Sequence, residues 1–361
     1  MTEKDKLIIE QYRTAMPAFG KLEEIVVSIL ENIASHCGIR VYNINHRIKG
    51  EESLIGKLER KGDKYTSLDD ITDILGTRVI CFFSDEVDTL AKQIEHHFDV
   101  DWDESIDKRK YLEVNTFGYL SVHYICSLKK EGDYPKELKT KRFEVQMCSM
   151  MQHIWATMEH DLGYKTKYGV PTAVRRDFFR LAGLLEIADE HFVRIRDSVA
   201  QYTREVHDKI INDNANSVLI DSVSLEEYMT NSKNMTSFLQ TLGNICEADI
   251  AYQSPENYLE QLEWLKKKTL GDLQEMMEKN SSLALRMIQK TLACADLDIL
   301  SSTVALRFLC HAELINSHYT TKQMVEFLQI SMKDKERAER YAKRLQKFGT
   351  TDAMKSTSSI D

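Results

Sequence analysis

Four stretches of this chain each set polar side chains along one face of a regular element. Arg47 and Lys49 lie on one side of an alternating stretch, opposite Tyr42, Ile44, His46 and Ile48, and Ser53, Lys57 and Arg60 follow at helical spacing. Asp73 and Arg78 flank the start of a run rich in β-branched residues. Tyr119, Ser121 and His123 alternate with Leu120, Val122 and Tyr124, as Glu144 and Gln146 alternate with Phe143, Val145 and Met147. Cations suit phosphates, two carboxylates suit magnesium and an aromatic ring suits a base: together these are the parts of phosphoryl or nucleotidyl transfer. Each stretch alone has a bland explanation as a solvated face, so the chemistry requires a fold that brings the four together.

Periodicity predicts the elements that would do so. Apolar residues at Ile8, Tyr12, Met16, Phe19, Leu22, Ile25, Val26 and Ile29 predict an N-terminal helix over about 7–37, bent at Pro17, with Cys37-Gly38 as its exit. A strand at 41–49, a helix at 51–60, a short helix opening at Ser67, a strand at 76–83 and a helix at 85–98 follow. The strands carrying His123 and Glu144 lead into a helix at 149–165. Its core stripe is Met151, Trp155, Met158 and Leu162, with His153, Thr157, His160 and Tyr164 on another face. For His153 and His160 a packed core histidine is as good a reading as a ligand. A long helix at 172–204 closes an α+β domain over 1–205. Past Asn212 the segment 206–361 reads as all-α, with helix caps at Ser224-x-x-Glu227, Ser254-Pro255 and Thr320-x-x-Gln323 and a disordered tail over about 350–361.

Composition narrows the function classes. With 361 residues, 29% charged and 42% apolar, and only 14 Gly and 4 Pro, the chain should fold almost throughout as two domains. A net charge of -9 argues against DNA as a partner and confines any nucleotide site to a local basic patch. No apolar run approaches a bilayer span and the first residues lack a secretory core, so a cytoplasmic protein without a membrane partner is expected. Seven scattered cysteines without a C-x-x-C pair predict reduced, buried thiols and no structural zinc.

In chain order the motifs are Arg47-Ile-Lys49-Gly-Glu-Glu-Ser53-Leu-Ile-Gly-Lys57, Asp73-Ile-Leu-Gly76-Thr-Arg78, Gly118-Tyr119-Leu-Ser121-Val-His123, Glu144-Val-Gln146, and Trp155-Ala156-Thr-Met-Glu159-His160 followed by Tyr164-Lys165. This series resembles the RelA/SpoT-type alarmone synthetases, especially their small single-domain members. The resemblance implies a nucleotidyltransferase-like mixed β-sheet flanked by helices, and an enzyme that moves pyrophosphate from ATP to the ribose 3′-hydroxyl of GDP or GTP with Mg²⁺. It implies that Arg47 and Arg78 stack on adenine and that Lys49, Ser53 and Lys57 hold the triphosphate. Asp73 and Glu144 would bind magnesium, with Glu144 also helping to deprotonate the acceptor. Tyr119 would stack on guanine, and His123, Gln146 and Glu159 would line the acceptor side. Arg60, Lys165 and the cluster Lys108, Arg109 and Lys110 are weaker candidates for acceptor phosphates, the cluster reading more readily as an ordinary solvated loop.

Where the family carries K-P-N before Gly-Tyr, this chain has Asn115-Thr116-Phe117. That keeps a second acceptor open, an adenine nucleotide or the 3′ end of tRNA, beside a third reading as a catalytically inactive nucleotide sensor. The family's hydrolase motif has no counterpart, so synthesis without degradation is expected. The resemblance also implies a homo-oligomer.

Overall fold

A computed structural model describes residues 2–61, 64–107, 121–163, 172–292 and 297–357. Two compact units, Met1–Asp197 and Ser198–Asp361, divide within one long helix.

The first unit opens with α1 (Glu3–His36), which starts four residues before the apolar periodicity does. Thr2 and Asp5 form a reciprocal capping box there, and the helix runs unbroken through Pro17. Next come β1 (Val41–Ile48), α2 (Glu51–Lys61), a single 3₁₀ turn (Leu68–Asp70), β2 (Leu75–Cys81) and α3 (Ser84–His97). The strand β3 (Phe98–Asp107) has no counterpart in the periodicity reading. Its apolar Phe98, Val100 and Trp102 are interleaved with aspartates, residues that β propensity disfavours, yet it pairs with β4 (Val122–Leu128) as an edge strand. A short helix α4 (Lys136–Lys139), β5 (Phe143–Ser149), α5 (Met150–Gly163) and α6 (Thr172–Ile211) follow.

The sheet order is β1-β2-β5-β4-β3, with β2 and β5 parallel and the other pairs antiparallel. Period-2 alternation sorts its two faces. Leu75, Val79, Phe143, Val145, Met147, Tyr124 and Cys126 point into a core completed by Leu22, Val26 and Leu30 of α1 and Leu90 and Ile94 of α3. Gly76, Arg78, Glu144, Gln146 and His123 occupy the opposite face, where α5 packs against β2 and β5. Of the predicted α5 stripe only Trp155 is buried. Met158 and Leu162 are exposed, so the stripe is a single anchor. Arg196 of α6 holds Asp85 of α3 through two bonds of 2.9 and 2.7 Å.

Among the described residues, the second unit is helical apart from two three-residue strands, β6 (Asp249–Ala251) and β7 (Ile299–Ser301), which pair in parallel. Its helices are α7 (Ser222–Asn231), α8 (Lys233–Cys246), α9 (Leu259–Trp264), α10 (Leu270–Leu292), α11 (Val304–Asn316), α12 (Thr321–Ser331) and α13 (Lys335–Thr357). Two caps differ from expectation. Asp221, not Ser224, is the N-cap of α7, with Ser224 at its third position, and Pro255 precedes a 3₁₀ turn rather than α9 itself. Thr320 and Gln323 form the predicted box. The last helix continues past residue 350, where composition predicts a disordered tail. No described helix is long and apolar enough to cross a membrane. Every described cysteine is free, and all but Cys37 are buried.

Candidate active site

Strand register builds the site. Arg47 of β1 lies opposite Gly76 of β2, which lies opposite Glu144 of β5. One step along, Asn45, Arg78, Gln146 and His123 form a second row across four strands. These rows floor a cleft of about 420 Å³ whose further wall is Ala156, Thr157 and His160 of α5.

Asp73, just before β2, receives Lys57 Nζ at 2.7 Å and Lys49 Nζ at 3.0 Å. Burial alone would raise the carboxyl's pKa, but the two ammonium groups outweigh it and hold the pKa below its ordinary value. Lys49 is fixed through its backbone. Its N–H donates to the Ile74 carbonyl at 2.7 Å, and its own carbonyl accepts from the Tyr12 hydroxyl of α1 at 2.6 Å. The Lys57 ammonium lies 5.3 Å from the centre of the Tyr65 ring, a neighbour from a turn with no periodic signal.

Glu144 is held on both oxygens. His123 Nδ1 lies 2.8 Å from Oε1, and Gln146 Nε2 donates to Oε2 at 2.9 Å. Burial again pushes its pKa up, and the His123 and Gln146 contacts together more than offset this, so the carboxylate stays ionised. Ser121 Oγ, 2.7 Å from His123 Nε2, fixes the imidazole from its other side, and Arg78 Nε donates to Gln146 Oε1 at 2.9 Å. Arg78, Gln146, Glu144, His123 and Ser121 are thus one connected network in which each side chain orients the next.

Of the residues expected from sequence, Arg47, Asp73, Arg78, Glu144 and Gln146 line the cleft; Lys49 and Lys57 meet it at Asp73, and His123 at Glu144. Ser53 is exposed on α2 one turn before Lys57, and Arg60 donates to the Gly56 carbonyl of its own helix at 2.9 Å. Glu159 is exposed on α5 and is not part of the wall, which Thr157 and His160 supply instead. His153 is half-buried and stays neutral because burial and the nearby Arg78 charge lower its pKa. Tyr119, Lys108, Arg109, Lys110, Lys165 and the Asn115-Thr116-Phe117 stretch lie outside the described residues. Asn45, His46 and Thr77 were not expected in the cleft. For Asn45 the signal was its position on the Arg47 side of the alternation.

The donor set also suits magnesium. Two ionised carboxylates share the cleft, and a Cβ added at Gly76, between Arg47 and Glu144, would meet nothing within 4 Å, which leaves room for an ion and phosphate oxygens. Among the described residues no group of three or more His, Cys, Asp or Glu is placed to hold a metal ion by itself, whereas magnesium takes one or two carboxylates and completes its shell with phosphates and water.

Comparison with known proteins locates this arrangement. Residues 46–169 match the family described as the region found in RelA / SpoT proteins. The GTP pyrophosphokinase YwaC of Bacillus subtilis is 25% identical over 200 residues, 54% of this chain and 91% of the relative. A second B. subtilis GTP pyrophosphokinase, YjbM, is 26% identical over 163 residues, 44% of this chain and 73% of the relative. Among solved structures, the small alarmone synthetase 1 of B. subtilis bound to its product pppGpp covers 53% of this chain and 98% of its own, with a TM-score of 0.44 at 22% identity.

Proposed function

We propose, from the premise that residues 46–169 are a RelA/SpoT region, that this protein is a (p)ppGpp synthetase, a GTP pyrophosphokinase that transfers the β,γ-pyrophosphoryl group of ATP to the ribose 3′-hydroxyl of GDP or GTP. The observation that carries the reading is the cleft over the two polar rows of the sheet, which Glu144 enters from β5 and Asp73, with Lys49 and Lys57 on it, from the segment before β2.

In this reading Arg47 and Arg78 stack on the adenine, the latter kept in plane by Gln146. Lys49 and Lys57 exchange Asp73 for the phosphates of ATP, with Ser53 assisting from the same helix face as Lys57. Asp73 and Glu144 would hold Mg²⁺, which when bound would offset charge on the phosphate oxygens. The acceptor 3′-oxygen attacks the β-phosphorus, the bond from that phosphorus to the bridging α,β-oxygen breaks, and AMP leaves. The hydroxyl proton passes to Glu144, which its lowered pKa keeps ionised and able to accept at neutral pH. Tyr119, His123, Gln146 and Glu159 serve the acceptor, and Arg60, Lys108, Arg109, Lys110 and Lys165 its phosphates. A cytoplasmic setting suits these substrates. Self-association is part of the reading, supported by Leu181, Leu184, Ile187, Phe192 and Ile195, exposed along one side of α6; light scattering of the purified chain tests it.

The function is tested with γ-labelled ATP and Mg²⁺, offering GDP, GTP, ADP, ATP and deacylated tRNA separately, with Asp73→Asn and Glu144→Gln as controls. Labelled guanosine tetra- or pentaphosphate, lost in both variants, is the expected result. Transfer only to adenine nucleotides or tRNA would assign Asn115-Thr116-Phe117 to acceptor choice, and ATP binding without transfer would make the site a sensor.

A further inference from the structure

We propose that the second unit carries a binding site of its own for a small phosphorylated molecule, in the pocket where Arg307, Lys333 and Arg337 converge beside the imidazole of His311. The pocket measures about 420 Å³, a small-molecule size, and lies among α9, α11 and the turn between α12 and α13. None of its residues belongs to the RelA/SpoT region, so the inference goes beyond the transferase reading and does not depend on it.

Three observations point to the ligand. The first is charge. Arg307, Lys333 and Arg337 are exposed at the mouth, and none is in an ion pair among the described residues. The one acid in the lining, Asp334, is already engaged: its Oδ1 accepts the Arg337 backbone N–H at 3.1 Å at the start of α13. Two guanidinium forks and an ammonium around one cavity match a multiply charged phosphate better than a single carboxylate.

The second is an orphaned polar atom. His311 is 4% exposed and sits among the rings of Phe308, Phe327 and Tyr341, with centroids 5.3 to 6.5 Å away. Its Nδ1 has no hydrogen-bond partner among the described residues. Burial and the Arg307 charge push its pKa down to about 3, so the ring is neutral and offers directional hydrogen bonding rather than charge. Leaving such an atom unpaired is a desolvation cost that an aliphatic side chain at this core position would avoid. The third is arrangement. Arg307 and His311 are one turn apart on α11, and buried Gln261 of α9 shares the lining, so exposed cations lead inward to buried polar groups.

The experiment is hydrogen–deuterium exchange of the full chain titrated with inorganic pyrophosphate, with succinate as a dianion that lacks phosphate. We expect pyrophosphate alone to protect peptides covering α11 and the start of α13. The half-maximal concentration should rise about tenfold or more in the Arg307→Gln/Arg337→Gln double variant, whose exposed sites should not disturb folding. His311→Leu should weaken protection while raising the unfolding temperature, a combination that a purely structural histidine would not give. The proposal is overturned if pyrophosphate leaves these peptides unchanged, if succinate protects them equally, or if the double variant responds like the parent. Peptides from β1, β2 and β5 report separately on the first unit, so failure of the transferase reading and failure of this one are distinguishable.

Discussion

Replacing Asp73 by Asn removes one charge and almost no volume at the point where Lys49 and Lys57 meet. The two lysine side chains are 13% and 21% exposed and the carboxylate 27%, so water screens these contacts only in part. A unit pair 4 Å apart is worth about 4 kcal/mol at an effective dielectric of about 20 before the carboxylate's desolvation is subtracted, and a net hydrogen bond to a charged group is about 1.5–3 kcal/mol. The variant also leaves two ammonium groups facing one another. We therefore expect a loss of about 2–3 kcal/mol in local stability, read as faster exchange of the Lys49 amide, whose bond to Ile74 ties β1 to the segment before β2. The sign with pH follows from the lowered pKa. The carboxylate's contribution is complete above the ordinary 3.8 and is lost only as pH falls through the lower folded value. The difference between the two proteins, corrected for intrinsic exchange, should stay flat from about pH 8 to about pH 5. A difference that shrinks steadily over that range would mean that burial, not the lysines, sets the carboxyl, and one below about 0.5 kcal/mol would mean that solvent already screens both ammonium groups. Either result would refute the electrostatic account of the site.

Three further perturbations test its construction. Gly76→Ala should fold normally, since the added Cβ meets nothing within 4 Å, yet it should weaken ATP binding about tenfold by narrowing the floor between Arg47 and Glu144, as calorimetry would read; unchanged affinity would remove the cleft from the donor site. His123→Ala strips Glu144 of the contact that lowers its pKa while burial remains, so the acid limb of the kcat/KM profile should move to higher pH, and an unmoved limb would exclude Glu144 as the titrating group. Tyr12→Phe deletes the bond to the Lys49 carbonyl, with an expected cost of about 0.5–1.5 kcal/mol in unfolding and a raised KM for ATP at similar kcat; a fall in kcat alone would place Lys49 in the chemistry rather than in binding.

Legibility varied along the chain for physical reasons. Alternation in β1, β4 and β5, the β-branched run of β2 and the apolar spacing in α1 are local properties of the backbone, so these elements and their polar faces could be read without coordinates, whereas the mixed sheet followed from the family resemblance. The strand β3 escaped because five acidic residues mask its alternation and only its pairing with β4 makes it a strand. The start of α1 was set by Thr2 and Asp5, a capping pair outside the periodic stretch, and the division between units falls within α6, where helical periodicity carries on uninterrupted. On α5, spacing placed Thr157 and His160 together on one polar face, whereas Glu159 came only from the family motif. Thr157 and His160 reach the cleft and Glu159 does not, because helix rotation against β2 and β5 decides which side chains clear the sheet.

The sequence by itself determined which chemical groups are present and which of them share a strand or helix face: the cations around 47–57, the carboxylates 73 and 144, and the His123 and Gln146 beside them. Tertiary structure alone decided their partners. That Asp73 joins two lysines, that Glu144 is gripped by His123 and Gln146, and that His311 sits buried beside three cations with a nitrogen unpaired among the described residues all depend on register and on packing between elements far apart in the chain. Periodicity is a short-range property of the backbone, whereas a shift of strand pairing by one residue leaves composition and motif spacing intact and turns every polar side chain of the site to the other face.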